Sequence, residues 1–109
     1  MNMILERNLY DMTIEKKLTN NELVIELEGR LDTTTAPRLE EELKNSIDGA
    51  EKLVLDFKKL DYLSSAGLRV ILAAQKIMNK QGEMIIKNVN ETISEIFEVT
   101  GFADILTIE

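Results

Sequence analysis

Two stretches near the start of the chain alternate between apolar and polar residues, as half-buried strands do. They run over residues 9–18 and 23–28, and the residues expected on their buried face are Tyr10, Met12, Ile14, Leu23, Ile25 and Leu27. Residues 19–22 between them contain two asparagines, which tolerate the left-handed backbone geometry of a tight turn. The pattern predicts an antiparallel hairpin whose second strand ends at Gly29.

In the rest of the chain, segments with apolar residues at intervals of three and four alternate with short apolar runs. The pattern predicts helices over residues 36–47, 65–80 and 91–100, strands over residues 52–57 and 83–89, and a final edge strand over residues 105–108. Pro37 suits the first turn of a helix, and Gly82 and Gly101 suit left-handed positions after helix ends. This order indicates an α/β fold with a mixed sheet of four to five strands and helices mainly on one face.

The composition is that of one globular domain over residues 1–109, with a lead-in at 1–8 and a core at 9–108. A net charge of −7 argues against nucleic acid as a partner. We expect no membrane insertion, because no apolar run approaches the length of a membrane span, and we expect a cytoplasmic protein. The sequence leaves open whether the protein is a monomer or a weak dimer.

The chain contains neither cysteine nor histidine. Their absence excludes Ser-His-Asp and Cys-His catalysis, phosphohistidine carriers and most transition-metal sites. No phosphate-binding loop or dinucleotide fingerprint is present either. We therefore expect a protein that is not an enzyme and that needs no cofactor.

The most informative segment leads from the strand at residues 52–57 into the helix at residues 65–80. Ser64 and Ser65 lie where that helix begins. A helix N-terminus presents unpaired N–H groups and the positive end of the helix dipole, so it favours a phosphate group. Serine is equally an ordinary N-cap, and Gly67 equally allows close packing of the helix on a strand.

This segment resembles the phosphorylation segment of STAS-domain anti-sigma factor antagonists. Tyr62 and Leu63 match the family's apolar pair, and Ser65 matches the phosphorylated serine. The following Ala66, Gly67 and Leu68 match the end of the motif. Ser64 stands where many members have aspartate, so Ser64 is a second candidate for the phosphorylated residue.

A second segment, residues 29–36, resembles the loop that lies beside the phosphoserine in the same family. Together the two matches imply a STAS fold and a partner-binding surface around the phosphorylated serine. The residues that the resemblance assigns to that surface are Asp32, Thr33, Thr34, Tyr62, Leu63, Ser64, Ala66, Gly67 and Arg69.

The resemblance also implies a function. An unphosphorylated antagonist binds an anti-sigma factor, itself a serine/threonine kinase, and thereby frees a sigma factor. Phosphorylation at the helix N-terminus ends that binding, and a serine phosphatase restores it.

Two other interpretations remain open at this point. Similar modules serve as STAS subunits of lipid-transport ABC systems or of other signalling assemblies. A small enzyme would instead gather the carboxylates of Asp32, Asp56 and Asp61 around a hard cation at one end of the sheet.

Overall fold

The computed structural model of the protein describes residues 12–109. Its strands and helices follow the predicted order: β1 (Met12–Thr19), β2 (Glu22–Leu31), α1 (Ala36–Ser46), β3 (Lys52–Leu63), α2 (Ser65–Gln81), β4 (Glu83–Lys87) and α3 (Glu91–Val99). A short 3-10 turn, Phe102–Asp104, follows α3. The predicted lead-in at residues 1–8 and the predicted strand positions 9–11, with Tyr10, lie outside the described residues.

The four strands form one mixed sheet in the order β1-β2-β3-β4. The predicted hairpin is confirmed, since β1 pairs antiparallel with β2 and Met12 lies opposite Gly29. The pairs β2–β3 and β3–β4 are parallel. The expected final edge strand is reduced to a single parallel bridge between Ile86 and Ile108.

All three helices contribute to one hydrophobic core on one face of the sheet. Fully buried members from the helices are Leu39, Ile71, Met78, Ile93 and Phe97, and they join Leu23, Ile25, Leu27, Leu53 and Leu55 from the strands. Burial of each such side chain contributes roughly 1.5–3 kcal/mol.

Glu15, Glu26 and Asp56 lie in one cross-strand row on the opposite face, where they line an open cavity of about 630 Å³. Within residues 12–109, none of the helices has the length and apolar character needed to cross a bilayer.

Strand β3 is longer than predicted, because it continues past residue 57 to Leu63. From the pair Glu26–Asp56 to the pair Leu31–Leu63, β2 advances by five residues and β3 by seven. The two extra residues are β-bulges, and each shifts the alternation of β3 by one position. The buried side chains of Phe57, Leu60 and Leu63 are consequently three residues apart rather than two.

The prediction that Gly29 ends the second strand is also wrong. The backbone of Gly29 has φ 106°, a region that favours glycine, and lies at a register shift between β2 and β3. The strand is irregular there and continues to Leu31. The extension of both strands carries the sheet up to the beginning of α2.

The backbone geometry at the ends of α2, β4 and α3 can be compared with the predictions. Gly82 has an extended φ of 170°, so the prediction of a left-handed cap at this position is wrong. Glycine is required here because a Cβ would collide with the Glu51 carbonyl group. Strand β4 ends two residues earlier than predicted, because Asn88 adopts φ 61°. Gly101 has φ 82° and ends α3 as predicted.

Candidate functional site

Ser64 is the N-cap of α2. Its backbone has the extended geometry usual for an N-cap, and its Oγ accepts a hydrogen bond from the Gly67 N–H at 3.5 Å. Its own N–H donates to the Leu31 carbonyl oxygen at 2.9 Å, which continues the pairing of β3 with β2. Ser64 is half-buried and holds the beginning of the helix in place.

Ser65 is the first residue of α2 and is exposed to solvent. Its hydroxyl group makes no hydrogen bond to any other residue within 12–109. The hydroxyl of Ser65 is therefore accessible to another protein, whereas that of Ser64 is engaged in capping. It also lies at the positive end of the helix dipole.

Gly67, in the first turn of α2, packs against the ends of β2 and β3. A Cβ at this position would lie 2.7 Å from Leu63 Cδ1 and 2.8 Å from Leu31 Cγ. Both leucines are at most 1% exposed. The structure thus corrects two expected surface residues: Leu63 and Gly67 are buried and support the surface from below.

The loop between β2 and α1 is ordered by the carboxylate of Asp32. Its Oδ1 accepts hydrogen bonds from the Thr34 N–H at 3.0 Å, from Thr34 Oγ1 at 2.8 Å and from the Thr35 N–H at 3.2 Å. Burial alone raises the pKa of Asp32, but these hydrogen bonds outweigh it, and the pKa lies below its ordinary value. Asp32 remains ionised at neutral pH and fixes the shape of the loop.

Thr35 occupies the N-cap position of α1, but its side chain makes no capping hydrogen bond to the helix. It is buried, and its Oγ1 donates to the Arg30 carbonyl oxygen at 2.7 Å and accepts from the Asp32 N–H at 2.8 Å. These bonds fasten the loop to the end of β2. Thr33 and Thr34 project from it as exposed residues.

Arg30 belongs to this site although no sequence motif points to it. Its guanidinium carbon lies 4.3 Å from the centroid of the Tyr62 ring, within the range of a cation–π interaction. Its Nε lies 3.7 Å from Oδ2 of Asp32. Arg30 lies opposite Tyr62 in the parallel pairing of β2 with β3, and the register of a strand pair cannot be read from the sequence.

A shallow groove with a volume of about 250 Å³ lies between the beginnings of α1 and α2. Thr33 and Pro37 line it from one side, and Ala66, Arg69 and Val70 line it from the other. The structure thus brings together two of the segments selected from the sequence. Tyr62 lies outside this groove and is joined to the Asp32 loop through Arg30.

Two of the three carboxylates considered for a cation site, those of Asp32 and Asp56, accept hydrogen bonds from nearby residues. Asp56 Oδ1 accepts hydrogen bonds from the Lys58 N–H at 3.0 Å and from Asn88 Nδ2 at 2.8 Å. In the part of the chain that the structure describes, no three acidic side chains are placed so that they could hold a metal ion. The site offers an exposed hydroxyl at a helix N-terminus and a shallow groove beside it.

Comparison with known proteins shows which family this chain resembles. The family model of the STAS domain matches residues 13–109. BtrV of Bordetella bronchiseptica, named as a candidate anti-sigma factor antagonist, is 39% identical over 79% of this chain and 76% of its own length. The anti-sigma-B factor antagonist of Bacillus subtilis is 28% identical over 90% of this chain and 91% of its own length.

Solved structures share the fold. The anti-sigma factor antagonist SpoIIAA in its unphosphorylated form has a TM-score of 0.78 and 19% identity, with 89% of this chain and 88% of SpoIIAA covered. The phosphorylated form of SpoIIAA from Bacillus has a TM-score of 0.71 and 20% identity, with 89% of this chain and 91% of that chain covered. With its family model, its relatives and its fold in agreement, this chain belongs to the STAS domain family.

Proposed function

We propose that this chain is an anti-sigma factor antagonist controlled by phosphorylation of Ser65. In its unmodified form it binds an anti-sigma factor that is a serine/threonine kinase, and it thereby frees a sigma factor. The observation that carries the proposal is the exposed Ser65 hydroxyl at the first position of α2, beside the ordered Asp32 loop. The names of the relatives support the same assignment.

The geometry favours Ser65 over Ser64 as the phosphorylated residue. A kinase must reach the hydroxyl oxygen and remove its proton, which an exposed side chain without internal hydrogen bonds allows. Ser64 is half-buried, and its Oγ accepts the Gly67 N–H. Phosphorylation of Ser64 would require that this cap be rearranged.

A phosphate on Ser65 changes the surface and leaves the fold intact. It adds about −1.5 to −2 charges and three acceptor oxygens. The N-terminus of α2 stabilises this charge, so the helix persists. A partner docked over Ser65 would have to bury the new charge unpaired, which costs several kcal/mol, and each 1.4 kcal/mol weakens binding about tenfold.

The modification therefore acts as a binding switch. The phosphorylated protein releases the anti-sigma factor, which then recaptures its sigma factor, and a serine phosphatase restores the binding form. In this cycle the chain supplies the accepting hydroxyl and the docking surface and carries out no catalysis itself. The cycle takes place in the cytoplasm.

The assignment of the phosphorylated residue can be tested directly. The protein is incubated with ATP and an anti-sigma kinase cloned from the genome that encodes this chain, and modified peptides are mapped by mass spectrometry. We expect one phosphoryl group on the wild type and on Ser64→Ala, and none on Ser65→Ala. Phosphate on the Ser65→Ala protein at the wild-type rate would contradict the assignment.

The switch itself is tested by calorimetric binding to the same anti-sigma factor. Ser65→Asp should weaken binding at least tenfold, because it places a carboxylate inside the interface. Ser94→Asp is the matched control, since it adds the same charge at an exposed position of α3. Equal affinities of Ser65→Asp and Ser94→Asp would show that Ser65 does not lie in the interface.

A further inference from the structure

Strand β1 lies at one edge of the sheet. It pairs with β2 over its whole length, from Met12 to Thr19, without a bulge. Within residues 12–109, no strand pairs with its other side. The backbone N–H and C=O groups of alternate residues of β1 therefore point away from the sheet, where another strand can bind them. A regular strand of eight residues is long for an edge that is open in this way.

The opposite edge of the sheet is formed by β4 and is occupied. The Ile86 N–H donates to the Thr107 carbonyl oxygen at 2.9 Å, and the Glu109 N–H donates to the Ile86 carbonyl oxygen at 2.8 Å. In the described part of the chain, β1 is the edge without such a segment. Two copies that join their sheets through β1 use the same edge on both sides, so they form a closed twofold dimer rather than a growing chain of copies.

The sequence of β1 is complementary to itself in one register. In an antiparallel pair of identical strands, opposite side chains lie on the same face of the sheet, so each register is centred on one residue. Centring on Glu15 or on Lys17 sets that charge against its own copy and pairs no glutamate of β1 with a lysine. Centring on Lys16 places these residues opposite each other: Glu15 and Lys17, Ile14 and Leu18, Thr13 and Thr19.

The charges of the register centred on Lys16 are compensated. Glu15 and Lys17 are exposed, and neither forms an ion pair within residues 12–109. Each would gain a partner of opposite charge in the second copy. Lys16 meets its own copy at the axis, but its Nζ lies 2.9 Å from Glu42 Oε1 and donates to Ser46 Oγ at 2.7 Å. Lysines on an edge strand ordinarily oppose pairing, but here each of the two has a carboxylate partner.

The same register covers an exposed leucine. Leu18 is 65% exposed and lies on the side of β1 that faces the helices, as Ile14 does. A groove of about 300 Å³ adjoins Ile14, and its other lining residues are Arg38, Glu41 and Glu42. In the register centred on Lys16, Leu18 of the second copy would lie opposite Ile14 and pack against it at the mouth of this groove.

We propose that this chain forms a twofold dimer in which β1 pairs antiparallel with β1 of a second copy, in the register centred on Lys16. The two four-stranded sheets then join into one continuous sheet. The apolar part of the interface is small, consisting of Ile14 and Leu18 from each copy, so the dimer is weak and reversible. The inference is independent of the proposed function, because neither Ser65 nor the Asp32 loop takes part in the pairing.

Charge reversal on β1 tests the interface. Sedimentation equilibrium is run up to ~1 mM protein, because an interface of this size is weak. Lys17→Glu sets two carboxylates against each other at both Glu15–Lys17 contacts and should raise the dissociation constant of the dimer at least tenfold. The matched control is Lys76→Glu, which changes the net charge equally at an exposed position of α2 and should change the constant less than twofold.

The register is tested by restoring the charge pairs. Glu15→Lys alone should also weaken the dimer at least tenfold, because it sets two ammonium groups against each other. The double variant Glu15→Lys/Lys17→Glu exchanges the charges and should dimerise within threefold of wild type. An equimolar mixture of the two single variants should form a heterodimer, since every charge then meets its opposite.

Disulfide formation gives a second measurement that does not depend on these charges. The chain contains no cysteine, so an introduced thiol is unique. Lys16→Cys places two thiols at the axis and should give a disulfide-linked dimer on mild oxidation. Leu18→Cys is the control, because its two copies lie four residues apart along the paired strands, or ~13 Å, too far for a disulfide.

Three results would overturn the proposal. A wild type that stays monomeric up to ~1 mM shows that β1 does not pair. A dimer that Lys17→Glu weakens no more than Lys76→Glu has its interface elsewhere. Equal cross-linking of Lys16→Cys and Leu18→Cys, or a double variant that fails to dimerise while circular dichroism shows it folded, excludes the register centred on Lys16.

Discussion

The guanidinium group of Arg30 stacks over the ring of Tyr62, with 4.3 Å between its central carbon and the ring centroid. Arg30 lies near the end of β2 and Tyr62 near the end of β3, and the two are opposite each other in the parallel register. Because Arg30 Nε also lies 3.7 Å from Oδ2 of Asp32, Arg30 connects the end of β3 to the Asp32 loop. Arg30 is thus a positioning residue for Tyr62 and Asp32.

Replacement of this arginine by lysine tests the contact. Arg30→Lys keeps the charge but loses the planar group that stacks on the ring, and we expect the free energy of unfolding to fall by about 0.5–1 kcal/mol. Urea denaturation measures the loss, and the Tyr62 ring resonances should shift. Arg69→Lys, at an exposed position of α2, should leave both unchanged. Identical Tyr62 resonances in wild type and Arg30→Lys would exclude the stacked geometry.

Gly67→Ala distinguishes packing from helix propensity. Propensity alone predicts that alanine stabilises α2 by up to about 1 kcal/mol. The structure predicts the opposite sign, because the added methyl group would lie 2.7 Å from Leu63 Cδ1 and 2.8 Å from Leu31 Cγ. We expect a loss of about 1–3 kcal/mol in urea denaturation. Ser65→Ala, two residues away and exposed, is the control for a substitution without this clash.

Asp32→Asn should destabilise the protein in a pH-dependent manner. Because the folded-state pKa of Asp32 lies below the ordinary value of 3.8, its ionisation stabilises the fold above that pH. The stabilisation is lost as the pH falls through the folded-state pKa. We expect a deficit of about 1 kcal/mol at pH 7 that shrinks below pH ~4 in urea denaturation. A deficit that is equal at pH 7 and pH ~3 would show that the charge of Asp32 is not what stabilises the loop.

Gln75 offers a stabilising substitution. It is 7% exposed, its Nε2 donates to Asn79 Oδ1 at 2.8 Å, and its Oε1 has no hydrogen-bond partner within residues 12–109. Gln75→Met removes this unsatisfied oxygen and should raise the free energy of unfolding by about 1 kcal/mol. The test is the urea midpoint.

The same substitution on the same helix provides the control. The Nε2 of Gln81 donates to the carbonyl oxygens of Ile47 at 2.7 Å and of Ala50 at 2.8 Å. Gln81→Met breaks both bonds and should lower stability by about 1–2 kcal/mol. A lower urea midpoint for Gln75→Met than for wild type would contradict this prediction. It would mean that the hydrogen bond from Gln75 Nε2 to Asn79 stabilises the fold by more than the buried, unpaired Oε1 destabilises it.

The course of β3 shows where prediction from the sequence stopped. Residues 52–57 form a short, mostly apolar run that predicts a strand, and the polar residues Lys58 and Lys59 end that run. The strand continues because bulges opposite β2 absorb the extra residues and return Leu60 and Leu63 to the core. Bulges depend on the neighbouring strand, so an alternation rule applied to one strand cannot find them.

The sequence by itself determined the order of the elements, the hairpin, the beginning of α2 at Ser64 and Ser65, and the family resemblance, because periodicity, caps and short motifs are local properties of the chain. Only the tertiary structure decided which residues of the motif face solvent. It buried Leu63 and Gly67, engaged Ser64 in capping and left Ser65 exposed. It also brought Arg30 onto Tyr62 and placed a shallow groove between the beginnings of α1 and α2. These relations join residues that are distant along the chain, and packing alone brings them together.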